Sequence, residues 1–553
     1  MTGTLFSPAP VLAEIEAAAR TDRNRAIDLA IKALGAGHED PLVLHLVADG
    51  LEEDGRLPDA VALSHRATVV APTQVDVWMV FGRRLRMLGR LEDALEAART
   101  ALALAPDSYI AQLEAAGGHL VLNNFAAAAD HAEQARMLCP RAPEPLSTLA
   151  IIAARQNRFS AARKFAEQAI ALSPGLPGAE IVLAKADMAD GHAAFAVLRL
   201  ERLAGRRDVS EGHRAEALTA LGDALDAIKA PARAFGAYAA SNAIMGRFAN
   251  AAGVGETRSA LDHARELERY FREAAPAPWR KPAGGGDGGQ IAARHVFLVG
   301  FPRSGTTLLE NALAGHPDIA TLEEADALAR CGGDLLADSA HLQRLAQLTG
   351  EEARAAREIY WTRVRALAPE AASAKVFIDK MPVQTVALPL ITKLFPDAKI
   401  LFARRDPRDV VLSCFRRLFG INTVMSQFLT LDGAARYYDQ VMRLAVLYGE
   451  KLLLDLHIVR HEDLVADFDR ELSRILDFFG LPWDARVRDF EQRAIWSRTP
   501  SATQIARGLN AEGVGAWRRF QGELAPVLPL LEPWVARFGY PPADPAPLPS
   551  RAR

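Results

Sequence analysis

The first half of the chain alternates alanine-rich apolar segments with short polar turns at a fixed period. Prolines follow four of these segments, at Pro72, Pro106, Pro140 and Pro174, and each is 34 residues from the next. A proline ends a helix because the residue before it disfavours the helical conformation. A unit of this length accommodates two helices and a turn. The pattern therefore predicts a series of helix–turn–helix units.

The same period recurs at the predicted turns and at small residues within the helices. Glycine or asparagine, which accept a left-handed turn conformation, stands midway between the prolines. These turn positions are Gly55, Gly89, Asn123, Asn157 and Gly191. An alanine follows each turn position by five residues, at Ala60, Ala94, Ala128, Ala162 and Ala196. Small side chains at repeated positions let stacked helices approach closely, which favours a solenoid over a generic alanine-rich bundle.

This pattern resembles tetratricopeptide repeats across about residues 10–240. The resemblance implies an N-terminal α-solenoid with a surface for a protein partner. The Pro/Gly-rich stretch PAPWRKPAGGGDGGQ follows and has no apolar periodicity, so it is typical of a linker. We predict a solenoid over residues 1–274, a linker over 275–290 and a second domain over 291–545.

The second domain contains short apolar runs separated by helical segments. The runs HVFLVG, KVFIDK, KILFAR and LHIVR are typical of buried strands. They cover residues 295–300, 375–380, 399–404 and 456–460. Strands that alternate with helices predict an α/β domain with a mainly parallel sheet. Ligands bind beyond the carboxyl ends of such strands, so the residues directly after each run are the candidates for a site.

Composition excludes several classes of protein. A net charge of −3 gives no overall attraction to nucleic acid or anionic lipid, so an anion site has to be local. Three scattered cysteines fit neither a disulfide framework nor a zinc site, and they favour a cytoplasmic location. The first residues lack a basic segment followed by an apolar one, and no stretch reaches about 20 apolar residues. We expect neither a signal peptide nor a membrane span.

A candidate anion-binding loop follows the first strand, in the sequence GFPRSGTTLLENALAGHP. A helix that begins near Ser304 would direct the backbone N–H groups of residues 304–307 at an anion. Gly305 allows close approach of the backbone, the hydroxyls of Ser304, Thr306 and Thr307 add donors, and Arg303 adds a positive charge. A plain strand-to-helix turn capped by Ser304 is the alternative.

The spacing of Gly300 and Gly305 matches the glycines of a nucleotide-triphosphate loop, but Thr306 occupies the lysine position of that motif. A nucleotide triphosphatase needs this lysine on the β- and γ-phosphates. The sequence therefore argues against a kinase or ATPase, which stays as one alternative.

A second basic turn follows the third run and has the sequence RRDPRDVVLSCFRR. Asp406 is expected to cap a helix that has Pro407 at its first position. Ser413 lies two turns along this helix, where it is expected to reach an anion that Arg405 also holds. Solvated arginines on the helix surface are the alternative for Arg408, Arg416 and Arg417.

The two loops together resemble those of sulfotransferases, in which a basic residue before Ser-Gly-Thr-Thr binds the 5′-phosphosulfate and an arginine eight positions before a serine binds the 3′-phosphate. The resemblance implies 3′-phosphoadenosine 5′-phosphosulfate as the donor, adenosine 3′,5′-bisphosphate as the product, and no metal. The segment AGHPDIATLEEADAL is similar to the stretch of tyrosylprotein sulfotransferases that carries their catalytic carboxylate, which implies Glu324 as the general base. Lys380 in DKMP matches the lysine that stabilises their transition state. The alternative is an exposed acidic helix cap, which we favour for Glu323 and Asp326.

The C-terminal segment TPSATQIARGLNAEGVGAWRRF resembles the closing segment of bacterial sulfotransferases that are fused to such repeats. The register implies that Ser501 and Arg507 contact the donor. Ala516 and Asn510 depart from the residues of those relatives, which often carry a basic and an aromatic residue there. These departures leave open a non-catalytic scaffold in which only the solenoid functions.

We therefore predict a sulfotransferase with an N-terminal tetratricopeptide solenoid, acting on a hydroxyl acceptor. A tyrosine of a peptide or protein recruited by the repeats is one acceptor that the resemblance implies, and a saccharide or a small molecule stays open. His316 and His461 are further candidate bases, but we expect both to be structural, because each directly follows a helix or a strand.

Overall fold

The computed structural model describes residues 8–54, 56–255, 258–280, 294–494 and 513–543. These residues form two compact units. The first contains Met1–Ile228, Ala243–Val254 and Leu418–Asn422, and the second contains Lys229–Asn242, Gly255–Arg417 and Thr423–Arg553. The domain boundaries that we predict from the sequence stay a proposal.

The first unit is a series of paired helices, as the repeat predicts. Its helices are α1 (Pro8–Thr21), α2 (Arg23–Gly35), α3 (Pro41–Glu53), α4 (Leu57–Val70), α5 (Val75–Met87), α6 (Leu91–Leu104), α7 (Tyr109–Val121), α8 (Phe125–Leu138), α9 (Pro143–Arg155), α10 (Phe159–Leu172), α11 (Pro177–Ala189), α12 (Ala193–Ala204) and α13 (Glu211–Ala227). Consecutive helices pack against each other along the whole series. The tetratricopeptide-type α-solenoid is thus present.

The turn residues and the alanines occupy the positions that the period predicts. Gly89, Asn123, Asn157 and Gly191 all have positive φ, between 54° and 83°. Gly55 lies outside the described residues. The alanines five residues later are between 0 and 3% exposed: Ala60, Ala94, Ala128, Ala162 and Ala196. At the described positions the repeat thus marks a left-handed turn and a close helix contact.

Helices α14 (Pro231–Ala251), α15 (Ala260–Glu273) and α16 (Pro276–Arg280) follow the solenoid series. Trp279 of α16 is buried against Phe271 of α15, with ring centroids 4.6 Å apart, so the first residues of the predicted linker are helical. The remainder of that linker lies outside the described residues. No helix among the residues that the structure describes combines the length and the apolar character that crossing a bilayer requires.

The second unit contains a five-stranded sheet in the order β2-β3-β1-β4-β5, in which every pair is parallel. Its strands are β1 (Arg294–Gly300), β2 (Ile319–Glu323), β3 (Val376–Lys380), β4 (Lys399–Arg404) and β5 (Asp455–Arg460). The sequence predicts four of them. It does not predict β2, whose five residues end in a glutamate and form no long apolar run.

Helices cover the sheet, as expected for a parallel sheet buried on both faces. The helices of this unit that follow β1 are α17 (Thr306–Leu313), α18 (Ala327–Gly332), α19 (Ser339–Ala346), α20 (Gly350–Leu367), α21 (Leu388–Leu394), α22 (Pro407–Phe415), α23 (Leu431–Lys451), α24 (His461–Ala466), α25 (Phe468–Phe479), α26 (Phe490–Ala494), α27 (Gln521–Leu524) and α28 (Leu528–Arg537).

The two faces of the sheet pack against different side chains, because successive strand residues point to opposite faces. Val296 and Leu298 of β1 belong to an aliphatic core with Leu309 of α17 and Leu476 of α25. On the other face, the rings of His295 and Phe297 of β1 pack among the aromatic residues Tyr360, Trp361 and Phe395. This core fixes the strand ends from which the candidate site is built.

Candidate active site

The loop after β1 connects two glycines at which a larger residue would displace neighbouring atoms. Gly300 has φ 156°, and a Cβ there would lie 2.5 Å from the carbonyl oxygen of Ala403 in β4. Gly305 has φ 94° and is the N-cap of α17, which begins at Thr306 rather than near Ser304. The alternative of a plain turn capped by the Ser304 side chain is therefore not observed. The loop presents a helix N-terminus, where the dipole and the amide groups favour an anion.

Arg303 lies within this loop with φ 71°, a strained conformation for a residue with a side chain. Its Nε donates a hydrogen bond to the Ser413 hydroxyl of α22 at 3.0 Å. Burial, together with the positive charges of Arg417 and Arg405, lowers the pKa of Arg303 to about 9. Cations crowded in this way favour a bound anion, because the anion would offset their mutual repulsion.

Arg405 follows β4 and bonds to the first loop directly. Its Nη1 donates to the backbone carbonyl of Arg303 at 3.2 Å, and its Nη2 donates to the carbonyl of Gly513. The Nε atom of Arg405 is buried and has no hydrogen-bond partner among the described residues. The Ser413 hydroxyl bonds to Arg303, and its predicted contact with an anion that Arg405 also holds stays a prediction. The two predicted loops nevertheless meet in one place.

The start of α22 explains why the Arg405 turn has a fixed shape. Asp406 caps the helix by accepting from the Arg408 amide at 3.0 Å, with Pro407 in the first turn, which confirms the predicted cap. The Arg408 guanidinium is fully buried, bonds twice to Asp406 and lies 3.9 Å from the Trp517 ring centre. The solvated role that we considered for Arg408 is therefore wrong.

The residues around Trp517 are held against the same helix. Asp409 of α22 accepts from the backbone amides of Gly515 and Trp517, at 2.6 and 2.8 Å. Ala516, the departure noted in the sequence, is buried between them. These bonds anchor the chain immediately after the predicted contacts Ser501 and Arg507, which both lie outside the described residues, as does Asn510.

Lys380 and Glu324 form an ion pair at the ends of adjacent strands. The Lys380 Nζ donates to the Glu324 Oε1 at 2.8 Å, and the Glu324 amide donates to the Lys380 carbonyl at 2.9 Å. Glu324 has φ 45° and its side chain is 39% exposed, whereas the Lys380 side chain is fully buried. The buried ammonium of Lys380 is thus paired with a carboxylate that solvent can reach. Asp326 caps α18 without a side-chain bond.

Two further carboxylates surround the Lys380 ammonium. Glu310 Oε2 lies 3.1 Å and Glu323 Oε1 lies 3.7 Å from Nζ. Burial alone disfavours the ammonium, but the charges of Glu310, Glu324 and Glu323 outweigh it and raise the pKa of Lys380 above its ordinary value. Sequence reasoning missed Glu310. The available signal was an acidic residue in the middle of the short, otherwise mostly apolar helix TTLLENAL.

The two candidate histidines occupy different surroundings. Among the described residues, His316 bonds to backbone groups, the Pro482 carbonyl and the Asp318 amide, which supports a structural role. His461 packs against the first loop, because a Cβ on Gly305 would lie 2.6 Å from its Nδ1. Burial lowers the pKa of His461 to about 3, and the charges of Arg405 and Arg303 add to the effect. It is therefore neutral at physiological pH.

The carboxyl ends of all five strands deliver these residues along one edge of the sheet. In the order of the sheet they are Glu324 after β2, Lys380 of β3, the Arg303 loop after β1, Arg405 after β4 and His461 after β5. A carboxylate, an ammonium and two arginines along one edge can accept a proton at one end and hold an anion at the other.

A model of a known protein family matches most of the segment that contains these residues. Residues 295–485 match the family described as Sulfotransferase family. Residues 295–485 are a sulfotransferase-family domain. This stretch includes both arginine loops, Glu324 and Lys380. It ends before Ser501 and Arg507.

Relatives with curated descriptions are similar to less than half of the chain. An uncharacterized protein of Aquifex aeolicus is 24% identical over 272 residues, which are 44% of this chain and 33% of that protein. Protein-tyrosine sulfotransferase A of Caenorhabditis elegans is 25% identical over 273 residues, 46% of this chain and 70% of that protein. Protein-tyrosine sulfotransferase 1 of Homo sapiens is 27% identical over 267 residues, 45% and 70% respectively. The chain thus spans a third of the length of the Aquifex protein.

Among solved structures, the chain is similar to a tetratricopeptide repeat protein from Parabacteroides merdae. The sequences are 15% identical, with a TM-score of 0.36, over 43% of this chain and 92% of that one. PilW, a type IV pilus biogenesis factor, is 21% identical with a TM-score of 0.31, over 37% of this chain and 92% of that one.

Proposed function

We propose that the sulfotransferase-family domain transfers the sulfuryl group of 3′-phosphoadenosine 5′-phosphosulfate to a hydroxyl acceptor without a metal ion. One observation carries the proposal. The Arg303 loop and the Arg405 turn are bonded to each other, so that the charges needed for a donor with phosphates at two positions lie together. The Lys380–Glu324 pair lies at the ends of β3 and β2, and β3 is the neighbour of β1 in the same sheet.

The residues present fit this donor. The N-terminus of α17, with Ser304, Gly305, Thr306 and Thr307, offers backbone and hydroxyl donors to the phosphosulfate. Arg405 has a buried Nε without a hydrogen-bond partner among the described residues, and this N–H could donate to a further anionic oxygen. Ser413 is connected to the same loops by its hydrogen bond from Arg303. Ser501 and Arg507 complete the proposed set by resemblance. The donor supplies an activated sulfuryl group with a phosphate leaving group.

Glu324 is the proposed general base. Its exposed carboxylate can accept the proton of an acceptor hydroxyl that reaches the strand edge. Proton uptake removes the negative charge of Glu324 and weakens its ion pair with Lys380. The Lys380 ammonium then stabilises the negative charge that develops on the bridging oxygen. Proton uptake and charge stabilisation are thereby linked through one pair of residues.

We further propose a peptide or protein acceptor, presented by a partner that binds the solenoid. The support is that several relatives carry the name protein-tyrosine sulfotransferase and that the first unit is a solenoid of the tetratricopeptide type. A saccharide or small metabolite is the competing acceptor. The three cysteines are free, which supports the predicted cytoplasmic location.

Competition calorimetry tests the donor. We expect adenosine 3′,5′-bisphosphate to bind without magnesium and to exclude the donor, and ATP with magnesium to bind weakly or not at all. Tight magnesium-dependent binding of ATP would instead establish the kinase or ATPase alternative. Incubation of a cell lysate with donor labelled in its sulfuryl group then identifies the acceptor class. Label in protein that is released as sulfotyrosine supports the tyrosine acceptor, and label confined to saccharide or small molecules overturns it.

A further inference from the structure

Glu310 connects α17, the helix that follows the Arg303 loop, to the proposed catalytic pair of Lys380 and Glu324. It lies on α17, whose first residue follows Gly305, and its Oε2 is 3.1 Å from the Nζ of Lys380 in β3. The side chains of Lys380 and Glu310 are 0 and 5% exposed. Of the carboxylates around this ammonium, Glu310 is the most buried and Glu324 the most exposed.

The cluster has more carboxyl groups than cations. Among the described residues, Glu310, Glu323 and Glu324 surround one ammonium, and the groups that face Glu310 are Lys380 from β3 together with Glu323 and Glu324 from the end of β2. Arg493 of α26, which also packs on α17, donates to the Asn311 carbonyl. A buried cluster of this charge is stabilised by a proton on its least solvated member.

We propose that Glu310 is a positioning residue of the sulfuryl transfer: it holds the Lys380 ammonium beside Glu324, and its own proton decides how much of the ammonium charge is left for the reaction. The proposal rests on the proposed function of the domain. Glu310 does not touch donor or acceptor in this scheme and acts through Lys380 alone.

Two states of Glu310 have different consequences for Lys380. When Glu310 is protonated, it is a neutral group beside the ammonium, and the positive charge remains available to Glu324 and to the transferred group. When Glu310 is ionised, a buried negative charge at 3.1 Å neutralises the ammonium. Burial raises the pKa of Glu310 to about 8, and the charge of Glu323 contributes, although Lys380 opposes the rise. Turnover should therefore fall as the pH rises through about 8.

The pH profile of kcat with purified full-length protein tests this role. We expect wild-type turnover to fall about tenfold between pH 7 and pH 9, as a single titration near 8 requires. In Glu310→Gln the amide copies the protonated carboxyl, so we expect activity near the wild-type value at pH 7 and no fall up to pH 9. An unchanged fall in Glu310→Gln would overturn the proposal. Glu471→Gln, which alters a buried glutamate of α25, is the matched control and should keep the wild-type profile.

A second variant keeps the proposal testable if Glu310→Gln does not fold. Glu310→Asp shortens the side chain so that its carboxylate no longer reaches Nζ. We expect kcat at pH 7 to fall while the Kd of adenosine 3′,5′-bisphosphate stays within about twofold, because the phosphate loops are unchanged. An unchanged kcat contradicts the positioning role. Absence of donor turnover in the wild-type protein would instead refute the proposed function itself, which separates the two failures.

Discussion

Arg303 donates a hydrogen bond to Ser413 at 3.0 Å although 110 residues separate them in the chain. The bond joins the turn after β1 to the helix after β4. Strands β1 and β4 are neighbours in the sheet. Because Arg405 also donates to the Arg303 carbonyl, the two basic loops form one continuous surface. A ligand that carries anionic groups at two positions can therefore contact both loops at once.

Arg405→Ala tests this shared surface. Loss of a hydrogen bond to a charged group costs about 1.5–3 kcal/mol, so we expect the Kd of adenosine 3′,5′-bisphosphate to rise by about 10- to 150-fold. Isothermal titration calorimetry measures the change. Arg354→Ala, which removes an exposed arginine of α20, is the control and should bind like the wild type. Equal affinity of the Arg405 variant would show that this turn does not hold the ligand.

Glu324→Gln tests the proposed base and, with it, the scaffold alternative. We expect donor turnover with acceptor to fall by about 10² to 10⁴, the usual contribution of a general base, while adenosine 3′,5′-bisphosphate binds as before. Asp326→Asn changes a nearby exposed carboxylate and should retain full activity. Unchanged turnover in Glu324→Gln would remove Glu324 from the mechanism. Donor binding without turnover in the wild-type protein would favour the scaffold.

The sequence predicts the features of this protein that depend on local constraints. Asn123 and Asn157 mark left-handed turns because the backbone conformation itself selects the residue type. The Asp406 cap follows from an Asp-Pro pair in the same way. Such features need no knowledge of distant contacts.

The parts that the sequence does not predict depend on contacts between distant segments. The spacing places Ser413 on the side of a helix, but it does not say which arginine reaches it. Arg408 looks like a solvated surface arginine until Trp517 and Asp406 enclose it. Glu310 acquires its role only because β3 brings Lys380 to α17.

Gly305→Ala tests the close packing behind the first loop. Its φ of 94° is unfavourable for alanine, and the new Cβ would lie 2.6 Å from the His461 Nδ1. We expect a loss of about 1–3 kcal/mol in the free energy of unfolding and loss of adenosine 3′,5′-bisphosphate binding. Gly449→Ala is the control, because this glycine lies in α23 with open space around it and should gain about 0.5–1 kcal/mol. Normal binding by Gly305→Ala would show that the loop tolerates a wider turn.

The pH dependence of stability tests the packing of His461 against the same loop. Burial and the neighbouring Arg405 and Arg303 lower its folded-state pKa from 6.5 to about 3. The unfolded state then binds more protons between these values, so His461 contributes stability above about pH 6.5 that is lost as the pH falls towards 3. We expect the free energy of unfolding of His461→Gln to decline less steeply than that of the wild type over this range. The measurement is denaturant unfolding at each pH. The transition of the second unit is identified as the one that added adenosine 3′,5′-bisphosphate moves to higher denaturant concentration. Parallel curves for wild type and His461→Gln would show that the imidazole is hydrated in the folded protein.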